Sequence, residues 1–461
     1  MTASATHSDG LPAPRRYWAM TAVAIAVTMA VMDGTLINLA LPTIARDLAV
    51  SPSVVVWVVS AYQLTIALSL FPLSALGEKI GYRRVYCGGL ILFTIASAAC
   101  AMAASAPALI TARILQGLGA SGIMCVNIAL IRFIYPKQSL GRGIGYNTLI
   151  VALSATAGPS VAAALLSVAA WPWLFAVNLP LGIAALAVGA WALPTNPLSS
   201  RRFDGTGALL TAVAIGTLVL AIDGFGRSQT WTAPASLFAL SLLLLVWLYR
   251  DQRAKPHPVI PIDLLKVRLV GLSSATALAS YVVQSLCYIA LPFYFHGALG
   301  FGLVAVGVLM TPWPLAIAFV SPLAGRLSDR FPPGILGTIG LVLLALGIAS
   351  LVLLPADPSV LNILWRMGVC GLGFGLFQAP NSRAIVSGSP IHRSGAASAL
   401  QSAARLIGQT IGAALVASLF ALFPQSAATA CLQLAVVFAL VAALTSSLRM
   451  RPATPDEAAQ R

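Results

Sequence analysis

One carboxylate, Asp33, lies deep inside a long apolar run of this sequence, and that placement is chemically expensive. An ionised Asp at the centre of a bilayer costs about 2.5–3.5 kcal/mol on insertion scales, so it needs a cationic partner, a water-filled cavity or a proton. Desolvation favours the protonated acid and a nearby cation favours the carboxylate, so such a group can switch between the two. Arg113 is the cation best placed to act on it. Asp33 sits about nine residues from the outer end of its run and Arg113 about six. At a rise of about 1.5 Å per residue their depths differ by about 5 Å, which allows a direct or water-bridged ion pair.

The framework around these groups follows from composition. Of 461 residues, 59% are hydrophobic and 8% charged, a balance that excludes a soluble globular domain. Apolar runs of the length needed to cross a hydrocarbon core recur from end to end. They predict an all-α integral membrane protein with fourteen transmembrane helices, the first near 18–42 and the last near 426–448. Arg15 and Arg16 before the first run resemble a signal peptide. That run is far longer than the roughly 7–15 residues of a signal core, so it reads as a retained span.

The net charge of +15 lies in short loops and reads as an orientation signal, not as a nucleic-acid face. With the N-terminus in the cytoplasm, every Lys and Arg falls on the cytoplasmic side except Arg46 and Arg227 outside and Arg113, Arg366 and Arg405 within spans. Both termini are therefore expected in the cytoplasm. The six cysteines have neither disulfide nor zinc spacing, and no cofactor or metal is expected.

The chain repeats itself. Ser74-Ala-Leu76-Gly-Glu78-Lys79 returns as Gly325-Arg-Leu327-Ser-Asp329-Arg330, and the same offset separates Arg142 from Arg393. Arg113 and Arg366 lie at nearly that offset. Corresponding elements are eight spans apart, which predicts a six-helix bundle over 1–204, two inserted helices over 205–255 and a second six-helix bundle with a short tail over 256–461. Parallel repeats of this kind place a substrate site near the midplane between the halves.

Four motifs carry a family resemblance over nearly the whole chain: Met32-Asp33-Gly34-Thr35-Leu36-Ile37-Asn38-Leu39-Ala40-Leu41-Pro42 in the first span, Ser74 to Arg84 after the second, Arg113-Ile-Leu-Gln116-Gly117-Leu-Gly119-Ala120 in the fourth, and Gly145 to Pro159 in the fifth. Together with Trp171-Pro-Trp-Leu-Phe-Ala-Val-Asn178-Leu-Pro180, these residues resemble the fourteen-span drug/proton antiporter family of the major facilitator superfamily. Ser74, Glu78 and Lys79 stand where the pattern has Gly, Asp and Arg, and Ser154 where it has Gly.

The resemblance implies export of lipophilic, often cationic drugs, dyes or biocides in exchange for protons, by a chain expected to be monomeric in a bacterial inner membrane. Asp33 and Arg113 are then the coupling pair. Glu78, Lys79, Gly81, Arg83 and Arg84 with Asp329 and Arg330 form a cytoplasmic latch, and Gly158-Pro159 is a hinge or a static kink. Asn38, Trp57, Tyr62, Gln63, Gln116, Tyr281, Gln284, Tyr288 and Trp313 are candidates to line a cavity for lipophilic cations.

Two rivals differ in class. A proton-coupled importer of a small metabolite would use the same scaffold but more cavity charge. A membrane-embedded enzyme would need a nucleophile–base pair or a His-Glu helix motif, and the spans contain neither.

Overall fold

The structure, a computed structural model, describes residues 9–198, 203–227, 232–253, 255, 258–355, 357–423 and 425–450. All regular elements among these residues are helical, as expected where backbone polar groups must be satisfied without water. The long helices are α1 (Ala13–Asp47), α2 (Trp57–Ile80), α3 (Tyr82–Ala101), α4 (Ala106–Ile134), α5 (Leu140–Val168), α6 (Asn178–Ala192) and α7 (Gly205–Arg227). They continue as α8 (Thr232–Gln252), α9 (Arg268–Phe293), α10 (Pro312–Ser328), α11 (Pro333–Val352), α12 (Val360–Ser387), α13 (Ser394–Leu422) and α14 (Ala427–Ser447). Among the described residues, thirteen spans meet the length and hydropathy needed to cross a membrane, or up to 14 if a bent pair within α5 is one span.

Local chemistry sets several ends. Ser105 and Ser359 cap α4 and α12 by accepting from Ala108 N and Asn362 N. Arg15 donates to the carbonyls of Ala192 and Leu193 at the C-terminal end of α6, where exposed carbonyls favour a cation. Gly81, with φ of 107°, makes the turn between α2 and α3 in a conformation closed to most side chains.

Contacts divide the chain into two compact units. Unit 1 gathers Met1–Gly143, Ile150–Gly216 and Pro390–Ser402; unit 2 gathers Ile144–Leu149, Thr217–Ser389 and Ala403–Arg461. The division cuts α5, α7 and α13 inside the helix, which a reading based on linkers cannot anticipate.

Within each unit, glycines let helix backbones meet, and the same crossings occur twice. In unit 1 a Cβ on Gly119 of α4 would lie 2.5 Å from Phe93 N of α3, and one on Gly117 would lie 2.7 Å from Tyr62 O of α2. In unit 2 a Cβ on Gly373 of α12 would lie 2.5 Å from Leu344 N of α11, and one on Gly371 would strike Trp313 O of α10. Contacts this close are how membrane helices gain packing energy without a hydrophobic drive between them. The matched crossings also correct the register of the repeat. They align Gly117 with Gly371, and therefore Arg113 with Met367 and Gln116 with Cys370; Arg366 lies one position away. Arg366, half-buried, reaches across to Ser350 O on α11 and donates to Asn362 Oδ1 on its own helix.

Candidate functional site

Four helices of unit 1 bring polar side chains to one buried point. Asp33 comes from α1, Ser97 and Cys100 from α3, and Asn178 is the first residue of α6. Arg113 and Gln116 are three apart on α4 and so share a face. Arg113 Nη1 forms a salt bridge with Asp33 Oδ2 and donates to Gln116 Oε1 at 2.6 Å, while Nε donates to Val58 O at 2.9 Å. Gln116 Nε2 donates to Asp33 Oδ1 at 2.8 Å and to Ser97 Oγ at 2.9 Å. Asn178 Nδ2 donates to the same Oδ1 at 3.2 Å, and Cys100 Sγ lies 3.6 Å from Gln116 Oε1.

Burial makes this arrangement consequential. Asp33 is 2% exposed and Arg113 fully buried. A buried ion pair recovers its desolvation cost only when additional hydrogen bonds satisfy both partners. The carboxylate accepts from Arg113, Gln116 and Asn178. The guanidinium carbon lies 4.1 Å from the Tyr62 ring centroid and 5.6 Å from that of Phe175, geometry suited to cation–π attraction. Arg113 Nη2 has no hydrogen-bond acceptor among the described residues, so the aromatic faces are its main compensation. Ile37, Leu109, Ala112, Leu174 and Phe175 belong to one apolar cluster in the same unit, which keeps the pair dry. A lone acid held by one cation and two neutral amides can exchange ion pairing for a proton.

The remaining candidate residues separate into distinct places. Tyr62 lies under Arg113 and donates to Ala30 O, and Gln116 bonds to Asp33. Trp57 and Gln63 are exposed on α2. In unit 2, Tyr281 Oη accepts from Gln378 Nε2 at 3.1 Å, Gln284 Oε1 accepts from Gln409 Nε2 at 3.4 Å, and Tyr288 meets Trp313 edge-on at 5.4 Å. Trp313 is fully buried, and its Nε1 has no acceptor among the described residues. The side chains of Asn38 and Pro159 lie outside the described residues. Around the latter, α5 bends by 42°, and a Cβ on Gly158 would lie 2.9 Å from Thr35 Cβ on α1.

The acidic loop residues find basic partners to which motif spacing assigns no such role. Glu78 Oε2 accepts from Arg393 Nη1 at 2.9 Å, and Oε1 accepts from Ala396 N at 3.1 Å. A carboxylate is thereby held at the N-terminus of α13, where free N–H groups favour negative charge. Tyr82 Oη accepts from Gly395 N beside it. In unit 2 Asp329 pairs with Arg383 at 3.5 Å. Arg83 donates to Ala190 O, and Lys79, Arg84 and Arg330 are exposed. Replacing Glu78 with Gln removes the charge opposite Arg393, which is 3% exposed. Proteoliposomes carrying Glu78→Gln are expected to transport severalfold more slowly while substrate affinity is retained; loss of binding at normal protein yield would contradict a conformational role.

Three residues of these clusters, Asn178, Arg393 and Arg383, have no role that the linear sequence assigns. Asn178 stands within a family motif, and its polarity inside an apolar run is the available signal. Arg393 stands out in the sequence only as a marker of the repeat.

Helices of this length, in two units that repeat the same glycine crossings, with a buried acid–base pair inside unit 1, define a polytopic membrane transporter of the repeat-built kind. The chain belongs to the Major Facilitator Superfamily, whose family model matches residues 23–413. It is 46% identical to the uncharacterized transporter YebQ of Escherichia coli (strain K12), over 96% of this chain and 97% of that protein. Identity is 29% with the riboflavin transporter RibZ of Clostridioides difficile (strain 630), over 87% of each chain. It is 32% with the multidrug resistance protein Stp of Mycobacterium tuberculosis, over 87% of this chain and 75% of that one. Among solved structures, the proton:xylose symporter XylE superposes with a TM-score of 0.67 at 14% identity, over 96% of this chain and 97% of that chain, a likeness of fold. Family and fold are those of transporters, not enzymes.

Proposed function

We propose that this chain is a proton-coupled antiporter that exports lipophilic, often cationic small molecules across a bacterial inner membrane by alternating access, with both termini cytoplasmic. The observation that carries the reading is the dry Asp33–Arg113 pair. When a proton takes Asp33, the pair loses its attraction; when the proton leaves, a cationic substrate competes with Arg113 for the carboxylate. Relatedness to a multidrug resistance protein supports export. In this scheme the bonds from Glu78 to the start of α13 hold one end state and must break in the other, and Gly158 with the bend in α5 accommodates the change.

A second reading has its own support. The neutral amides Gln284, Gln378 and Gln409 in unit 2 suit a planar, hydrogen-bonding metabolite, and one relative is named a riboflavin transporter. A pump-deficient bacterial strain expressing the chain, grown on a panel of dyes, biocides and antibiotics, separates the two. The antiporter reading expects raised tolerance to lipophilic cations that uncouplers abolish. Unchanged tolerance, together with rescue of a strain unable to take up riboflavin, would favour import.

A further inference from the structure

We propose that Asn178 is a positioning residue for proton exchange: its amide, delivered by α6, holds Asp33 as a carboxylate and sets the pH at which the site releases its proton. The proposal rests on the reading of Asp33 as the proton site given above.

The bonds to Asp33 suit a carboxylate, because every one of them is donated to it. Oδ2 takes the Arg113 bond, and Oδ1 takes both Gln116 Nε2 and Asn178 Nδ2. All three partners are donors, and amide nitrogens cannot accept. A proton on Oδ1, which already accepts twice, must displace one of these bonds, and a proton on Oδ2 removes the charge that strengthens all three. Each donor thus opposes protonation.

Asn178 differs from the other two in where it comes from. Arg113 and Gln116 sit on α4 and are bonded to each other, so they move together. Asn178 begins α6 immediately after the short helix Trp173–Ala176, with Val177 as the single residue between, and it is 3% exposed. Its bond joins α6 to α1 at the proton site, so the seating of α6 on α1 and the charge on Asp33 depend on each other. Among the described residues, the titratable and charged groups at this point are Arg113 from α4, which pairs with Asp33, Cys100 from α3, which lies on Gln116, and Tyr62 from α2, which lies under Arg113. α6 contributes an uncharged donor, which biases the carboxylate without trapping it as a second cation would.

The test is binding of a monovalent cationic dye to the purified full-length protein, followed by fluorescence polarisation across a pH series without a gradient. Dye and proton compete for Asp33, so binding falls as pH drops through a midpoint. Asn178→Leu keeps the side-chain size and removes the donor. Its midpoint is expected about one pH unit higher, a tenfold change in proton affinity and about 1.4 kcal/mol. Asn178→Gln restores an amide and should recover most of the shift. Asn178→Asp sets a second carboxylate beside Oδ1 and should move the midpoint further up, because neighbouring carboxylates hold a proton between them. A purely structural role for Asn178 would lower the yield of active protein and leave the midpoint in place. Should Asn178→Leu not fold, Asn178→Ala, which also removes the donor, carries the same test.

Asp33→Asn is the control that separates the two claims. If Asp33→Asn retains the wild-type pH dependence, the proton site is elsewhere and the underlying reading fails. If Asp33→Asn flattens the pH dependence while Asn178→Leu and Asn178→Asp keep the wild-type midpoint, the positioning role of Asn178 is overturned.

Discussion

In proteoliposomes, Asp33→Asn is expected to reduce uptake of a monovalent cationic dye driven by an imposed pH gradient to background, while counterflow exchange of neutral substrates stays partly intact. One acid exchanging one proton for one monovalent cation moves no net charge. The wild-type protein should therefore respond to the pH gradient, where one unit is worth about 1.4 kcal/mol or about a tenfold accumulation. It should ignore a membrane potential, which is worth about 2.3 kcal/mol per 100 mV for each charge moved. Dye uptake driven by potential alone, or a fully active Asp33→Asn, would place the proton on another group.

Arg113→Met should do the most damage to the folded protein. Removing one partner of a buried pair leaves an uncompensated charge, at a cost of about 3–5 kcal/mol. Here it strands Asp33 at 2% exposure and also removes the bonds from Arg113 to Gln116 Oε1 and Val58 O. The double variant Asp33→Asn with Arg113→Met should recover most of that stability, because unit 2 already packs Met367 and Cys370 at the matching places beside Gly371. It should not recover pH-driven transport. Thermal melts in detergent read the first effect and proteoliposome uptake the second. Equal melting temperatures for wild type and Arg113→Met would mean that the pair contributes little to the fold. Coupled transport by the double variant would remove it from the mechanism.

Much of this is legible along the chain. Apolar length alone specifies membrane-crossing helices, because the bilayer leaves the backbone no other way to satisfy its hydrogen bonds. The cost of burying Asp33 marks it as a group in need of a partner, and helical rise places Arg113 at a compatible depth. The spacing of Glu78 and Asp329 exposes the internal repeat. Local sequence cannot pair those loop acids with Arg393 and Arg383, because many basic residues stand at span ends and proximity there depends on helix packing. Gln116 reads as a cavity residue for the same reason: its place in a motif says nothing of whether its amide faces substrate or Asp33.

The medium, the class of fold and the one carboxylate placed deep inside an apolar run are thus properties of the linear chain, since they depend on solvation and on distance along a helix. How that group is held was settled by packing. Asn178 lies far from Asp33 in the chain, and only the seating of α6 on α1 brings its amide to Oδ1. Glycine crossings set how closely the other helices approach and thus which faces turn inward. They bring Arg113 against Asp33 in unit 1, whereas Arg366 in unit 2 turns to Ser350 O of α11, a difference of one position. At about 100° of helix rotation per residue, one position is enough to change which surface a side chain faces.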